Sequence, residues 1–275
     1  MNWANRFPLT SDDVNLHVYP STSPEHVNRH FVLIHGFMSW SYSFKRLIPY
    51  LSAYGNIMTL DLPGFGLSNR HVRYHYSYEQ YTKTVHDLIR ANSEDDDEVI
   101  AIGHSMGGQI ALRLVQWMPE VSKAVLLSSS GNLAKSSLKL RAASSLPFFH
   151  HYLSKYVRER DVHHVLQQVI SDKRSITDEQ IQEYGRPLEN DAMYRSLAKF
   201  IRQREGDLSR DTLHTIKKPI LLLWGENDRI VPVSVGRYLD KELPNSKLHV
   251  YPNVGHLLPE EIPEKTSQAI AKFLA

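Results

Sequence analysis

Cysteine is missing from this 275-residue chain, which removes disulfides, thiolate metal sites and a cysteine nucleophile together. No apolar run approaches the 18 or so residues that a bilayer span requires. The opening stretch, "MNWANRFPLTSDDVNLHVYP", has neither a basic segment nor an unbroken apolar one, so no secretory signal is expected. A cytoplasmic protein without a membrane span is the expectation. Charge is nearly balanced, with 32 Lys/Arg against 30 Asp/Glu, too little excess to argue for a nucleic-acid partner. G-x-G-x-x-G and the P-loop glycine pattern are both absent. The acidic run "SEDDDE" (Ser93 to Glu98) reads as a solvated turn before a strand rather than a metal site.

What the chain does have is a rhythm. Short apolar runs recur at Phe31–Ile34, Ile57–Leu60, Val99–Ile102, Ala124–Leu127 and Ile220–Trp224. Near-continuous hydrophobicity over four to six residues is what a parallel strand covered on both faces needs. Leu248–Tyr251 reads as a further strand near the edge, and Val14–Tyr19 as an antiparallel edge strand. Helical patterns lie between the runs. Ser77 and Gln80 fit a capping box ahead of Tyr78, Tyr81, Val85, Leu88 and Ile89 on one face. Pro119 stops another helix, and Pro263 suits the first turn of the last. Such alternation implies a mostly parallel sheet with helices on both faces. The rhythm breaks after Ser130 and resumes at Pro219. Residues 1–131 and 219–275 therefore read as an α/β core, and 132–218 as an inserted helical cap.

Within "VIAIGHSMGGQIALRLV", Ser105 follows a strand run and opens a helical one. That is the context of a nucleophile elbow, where a tight turn excludes side chains at Gly103 and Gly107 and lets the helix start face an oxyanion. The bland reading is a glycine turn with a helix-capping serine. A serine nucleophile also needs a base and an acid. His256, in "YPNVGHLLPEE", stands after the last strand run, with Gly255 free to adopt an unusual backbone angle. "PILLLWGENDRIVP" supplies Glu226 and Asp228 after the preceding strand; Asp228 lies deeper in the loop and is the better acid. No Asp or Glu occurs between Glu120 and Glu159, so no rival acid follows the Ala124–Leu127 run. The order Ser, Asp, His is that of an α/β-hydrolase triad. The loop His35-Gly36-Phe37 can aim a backbone N–H into the same cleft. The N–H groups of Phe37 and Met106 are the expected oxyanion donors, with His35 and His104 read as structural supports beside Gly36.

With His35-Gly36, "DLPGFGLS", "GHSMGG", "GENDRIVP" and "GHLLPEE" in this order, the chain resembles the α/β-hydrolase superfamily over essentially its whole length. The resemblance is to its serine-nucleophile, esterase-like branch with a helical lid. It implies an eight-stranded, mostly parallel sheet and a triad of Ser105, Asp228 and His256. The implied reaction is carboxylic ester hydrolysis through an acyl-enzyme, with no cofactor or metal required.

Substrate choice is poorly encoded. Phe37, Met38, Trp40, Phe148, Phe149 and Tyr152 suggest an apolar acyl pocket, or, for the last three, ordinary lid core. Leu133 to Lys218 carries 16 Lys/Arg against 11 Asp/Glu. Arg141, Lys155, Arg158 and Arg160 cluster in its first half, read as a solvated face or as a dock for an anionic carrier protein. In its basic lid the chain resembles methyl-ester esterases that act on a carrier protein. Carbon–carbon bond hydrolases share the triad but commonly have a longer glycine-rich oxyanion segment than "HGFMSW". A perhydrolase side activity, and a ligand-binding signalling protein that keeps its triad, are further readings.

Overall fold

The computed structural model describes residues 13–70 and 73–275; residues 71–72 and residues 1–12, most of the stretch read above for a signal, lie outside the described residues. One sheet organises the chain. Strand β1 (Leu16–Tyr19) pairs antiparallel with β3 (Asn56–Leu60), and from β3 inward every pairing is parallel. The order is β1-β3-β2-β4-β5-β6-β7, with β2 at Arg29–Ile34, β4 at Glu98–His104, β5 at Val121–Leu127, β6 at Ile220–Gly225 and β7 at Ser246–Tyr251. This makes seven strands among the described residues where eight were expected. Strand β1, four residues long and largely exposed, stands at the edge of the sheet among the described residues.

The apolar runs split cleanly between two faces. Val32, Ile34, Met58, Leu60, Ala101 and Leu222 belong to one buried cluster. Their alternating neighbours Phe31, Leu33, Ile57, Ile100, Ile102 and Leu221 belong to another. A period of two places successive side chains on opposite faces, so a strand covered on both sides must be apolar throughout. The first cluster is roofed by α2 (Tyr78–Asn92), α3 (Met106–Trp117) and α10 (Val233–Glu242). The second is covered by α1 (Ile48–Leu51), α11 (Leu258–Glu261) and α12 (Pro263–Leu274). Fully burying each Leu, Ile or Val contributes about 1.5–3 kcal/mol.

Between β5 and β6 the chain forms α4 (Leu138–Ala143), α5 (Phe149–Arg158), α6 (Val162–Val169), α7 (Asp178–Gly185), α8 (Asp191–Gln203) and α9 (Arg210–Leu213), with no strand. Helices α5 and α8 pack through Leu153, Val157, Met193, Tyr194 and Leu197. The end of this segment returns to the core through a buried network. Gln109 donates to the Ser130 carbonyl and accepts from the Leu208 N–H, while Arg113 donates to the Gly206 carbonyl. Ser77 caps α2 through the Gln80 N–H, but the second half of the box is not used. The Ser77 N–H goes to the His75 carbonyl, and Glu205 takes the N–H groups of Tyr78 and Glu79. The complete capping box is at Thr177 and Gln180, which open α7.

Because β2 to β7 are parallel, their C-terminal ends share one edge. The register sets Ile34 beside Gly103, His104 beside Leu127, and Gly225 beside Tyr251. Loops leaving β2, β4, β6 and β7 therefore converge, as they do in open α/β sheets that bind ligands beyond the strand ends.

Candidate active site

Strand β4 ends at His104 and α3 begins at Met106, leaving one residue to make the turn. Ser105 makes it at φ 52°, ψ −117°. A side-chain-bearing residue held at positive φ costs about 1–3 kcal/mol. Its N–H donates to the Leu127 carbonyl and its own carbonyl accepts from Ser130 and Gly108, which fixes the strained turn. The Ser105 hydroxyl does not cap α3, so the helix-capping reading is removed. The turn presses on β2. A Cβ at Gly107 would lie 2.1 Å from the Ile34 carbonyl oxygen, and one at Gly103 would lie 2.3 Å from that of Gly107.

From β7 the chain reaches His256, whose Nδ1–H donates to Asp228 Oδ2 at 2.8 Å. Both are buried. Asp228 Oδ1 accepts from the N–H groups of Ile230 and Val231 at 2.9 and 2.8 Å. Burial pushes the Asp228 carboxyl up, but hydrogen bonding and charge from His256, with the Val231 N–H, prevail and hold it below its ordinary value. Glu226 is exposed. The backbone of this loop differs from expectation: the positive φ belongs to Asn253, not to Gly255. Glycine is needed at 255 for close approach, since a Cβ there would lie 2.4 Å from the Val169 carbonyl oxygen. That same carbonyl accepts the His256 N–H at 2.7 Å.

The flanking histidines are both fastened. His35 donates through Nδ1 to the Gly36 carbonyl and accepts the Leu62 N–H at Nε2, tying the loop after β2 to the loop after β3. Burial pushes the pKa of His35 below its ordinary value. His104 donates through Nε2 to the His256 carbonyl at 2.9 Å, and its ring lies 4.7 Å from that of His256. Burial drives its pKa down to about 3. His35 uses both ring nitrogens in these bonds, whereas His104 Nδ1 is buried without a partner, beside Gly36. A Cβ on Gly36 would lie 3.0 Å from that of Ser105, so the β2 loop sits directly against the serine. The N–H groups of Phe37 and Met106 have no acceptor among the described hydrogen bonds. Sequence reasoning missed Asp61. This fully buried carboxylate accepts from the Ser41 and Leu67 N–H groups and from Asn15 Nδ2, bracing the same loop. An acidic residue at the end of an apolar strand run was the available signal.

Ser105 and His256 open into one cavity of about 470 Å³. Met38 lines it as expected, but Trp40, Phe148, Phe149 and Tyr152 do not. Trp40 packs behind the loop on Tyr42, its indole N–H on the Glu183 carbonyl. Helix α5 turns Leu153 and Val157 inward, which leaves Phe148 and Tyr152 on the outside and Phe149 beside Tyr152. The apolar wall comes instead from α6, through Val162, Val165, Leu166 and Val169. Their spacing of three, four and seven was the signal for it. Of the basic cluster, only Arg160 reaches the cavity, with its guanidinium 4.3 Å from the Tyr156 ring. Arg158 is held by Asp191 at 3.0 Å, Lys155 faces Glu159, and Arg141 donates to the Arg202 carbonyl. No group of three metal-ligating side chains is present among the described residues, and no described helix is long and apolar enough to cross a membrane.

The fold and the convergence of these loops define an α/β hydrolase. The model of the alpha/beta hydrolase fold family matches residues 29–263, and the chain belongs to that family. Over 267 residues it is 39% identical to the uncharacterized hydrolase YugF of Bacillus subtilis (strain 168), covering 97% of this chain and 96% of that one. It is 27% identical over 242 residues to a 2-hydroxy-6-oxo-6-phenylhexa-2,4-dienoate hydrolase of Burkholderia cepacia, covering 86% and 82%. The solved meta-cleavage product hydrolase from Pseudomonas fluorescens shares the fold with a TM-score of 0.75 at 19% identity, covering 95% of this chain and 93% of that one. At this level the chain is a hydrolase, like its relatives.

Proposed function

We propose that the chain cleaves a carboxylic ester through an acyl-enzyme, with Ser105 as nucleophile, His256 as base and Asp228 as its orienting acid. One observation carries the reading. An uncapped serine at positive φ opens into the same cavity as a histidine whose far nitrogen is bonded to a buried carboxylate. His256 Nε2 takes the Ser105 proton as Oγ attacks the carbonyl carbon. The Phe37 and Met106 N–H groups receive the oxyanion, a term worth several kcal/mol where such donors are preorganised. Collapse expels the alcohol, which leaves with the proton from His256. Water then attacks the acyl-enzyme with His256 again as base, releasing the acid and restoring Ser105. In this reading residues 132–218 act as a lid, and α6 supplies the apolar acyl wall.

A second reading is hydrolysis of a carbon–carbon bond. Relatives named for that chemistry favour it, as does Arg160, a cation at the cavity where an anionic dienoate would need one. Arg160 equally suits an ester carried on an anionic protein. A panel of p-nitrophenyl esters of graded acyl length, run with wild type and Ser105→Ala, tests the first reading. Turnover should depend on Ser105 and fall by about 10⁴ or more in the variant. Cleavage of a hydroxy-oxo-dienoate with no ester turnover would select the second. Failure of an organophosphonate to label Ser105 in folded protein would remove both.

A further inference from the structure

Helix α5 is apolar on two sides. Leu153 and Val157 face α8, while Tyr152 and Tyr156 face out, with Phe148 just before them. A helix in a single covering layer has no use for a second apolar stripe unless something covers it. The stripe does not end at α5. Leu138 is 80% exposed, Phe148 76% and Leu146 64%, and α4, to which Leu138 belongs, buries no residue at all. Exposed apolar side chains thus recur along this helical segment from Leu138 through Leu146 and Phe148 to Tyr152 and Tyr156.

Two further observations say what covers this face. The first is charge. Lys135, Lys139, Arg141 and Lys155 alternate with these residues along the chain, and no Asp or Glu occurs anywhere between Glu120 and Glu159. Lys135, Lys139 and Arg141 have no carboxylate partner among the described ion pairs. A second copy of this chain would bring the same cations against each other, because a two-fold interface is self-complementary. The second is continuity. Phe149 lies 6.3 Å from Tyr152, Tyr152 stacks 6.3 Å from Tyr156, and Arg160 covers Tyr156. Tyr156 and Arg160 line the cavity that holds Ser105. An aromatic ribbon thus runs from the outer face to the site.

We propose that this face docks on an anionic lipid surface, and that the ribbon leads an ester from the bilayer to Ser105. Exposed Leu and aromatic side chains interleaved with Lys and Arg are the signature of an interfacial, non-spanning attachment. The substrate end of the proposal rests on the ester reading above; the docking does not.

The test is co-sedimentation of the full chain with sucrose-loaded vesicles of phosphatidylcholine, with or without phosphatidylglycerol. Wild type should bind the anionic vesicles about tenfold better or more, and less so at high salt. Leu138→Ser with Leu146→Ser should lower binding by about tenfold, and Lys135→Glu with Lys139→Glu should abolish the preference for anionic lipid. Both double variants change only exposed residues and should turn over a short soluble ester like wild type. Ser105→Ala should bind vesicles unchanged, so loss of the ester reading and loss of the docking are separate results. No binding of wild type to either vesicle, or unaltered binding of both variants, overturns the proposal. So does a dimer in light scattering that Leu138→Ser with Leu146→Ser dissociates, which would make the occupant a second copy.

Discussion

Asp228→Asn is the sharpest perturbation, because the surroundings of Asp228 dictate how the new amide must sit. Two N–H groups, from Ile230 and Val231, point at one carboxylate oxygen, and the His256 Nδ1–H points at the other. An asparagine can leave its carbonyl oxygen on the two N–H groups and turn its NH₂ to His256. The opposite orientation would set an NH₂ against two buried donors, at about 1–3 kcal/mol for each donor left unsatisfied. The first orientation therefore dominates. There the NH₂ donates to Nδ1, so the imidazole proton moves to Nε2, the position that, in the mechanism proposed above, must be empty to accept the proton of Ser105. The fold is retained while the base is lost. A wrong tautomer of this kind lowers kcat by about 10⁴, or about 5 kcal/mol in the barrier. The assay is p-nitrophenyl butyrate hydrolysis near pH 7, with near-ultraviolet circular dichroism to confirm native packing. KM should move by about threefold or less, since the α6 side chains lining the cavity are untouched. Glu226→Gln, changing an exposed neighbour, should stay within about twofold of wild type. A kcat for Asp228→Asn within tenfold of wild type would refute the tautomer argument.

Gly107→Ala should destabilise the chain by about 3 kcal/mol or more in urea unfolding, since overpacking against backbone is relieved only by moving β2 or α3 and the new Cβ would lie 2.1 Å from the Ile34 oxygen; a loss below about 1 kcal/mol would contradict the close packing. His104 predicts a pH effect. Its folded pKa, depressed by burial to about 3, lies below the unfolded imidazole value of about 6.5. Its contribution to stability is thus full above pH ~6.5 and is lost as pH falls toward about 3. His104→Gln, which keeps a donor for the His256 carbonyl, should lose less stability than wild type between pH 7 and pH 4; identical pH dependence in the two proteins would refute this.

Much of this molecule was legible in the chain because burial on both faces leaves little freedom in composition. The runs at Phe31–Ile34, Val99–Ile102 and Ile220–Trp224 have the continuous hydrophobicity a covered parallel strand needs, and they form such strands. The elbow was legible because its glycines have no alternative: backbone occupies the space any side chain would take. The choice of Asp228 over Glu226 followed from loop depth alone, and burial separates them as that depth implied. The helical segment between β5 and β6 was different. Aromatic content suggested that Phe148, Phe149 and Tyr152 line the cavity, yet composition carries no information on which side of α5 meets α8. Leu153 and Val157 took the inner side, and α6 took the cavity.

Sequence alone determined the strand-helix alternation, the order of Ser105, Asp228 and His256, and the polar helical break at 132–218, each a local property of residue type and spacing. Tertiary structure decided the rest. Parallel register brought residues 105, 228 and 256 to one edge of the sheet. The Val169 carbonyl was set on the His256 N–H, making Gly255 a matter of space rather than of backbone angle. Packing on α8 left one stripe of α5 without a partner, running outward from the cavity. These outcomes depend on contacts between residues far apart in the chain, whose pairing no local pattern records.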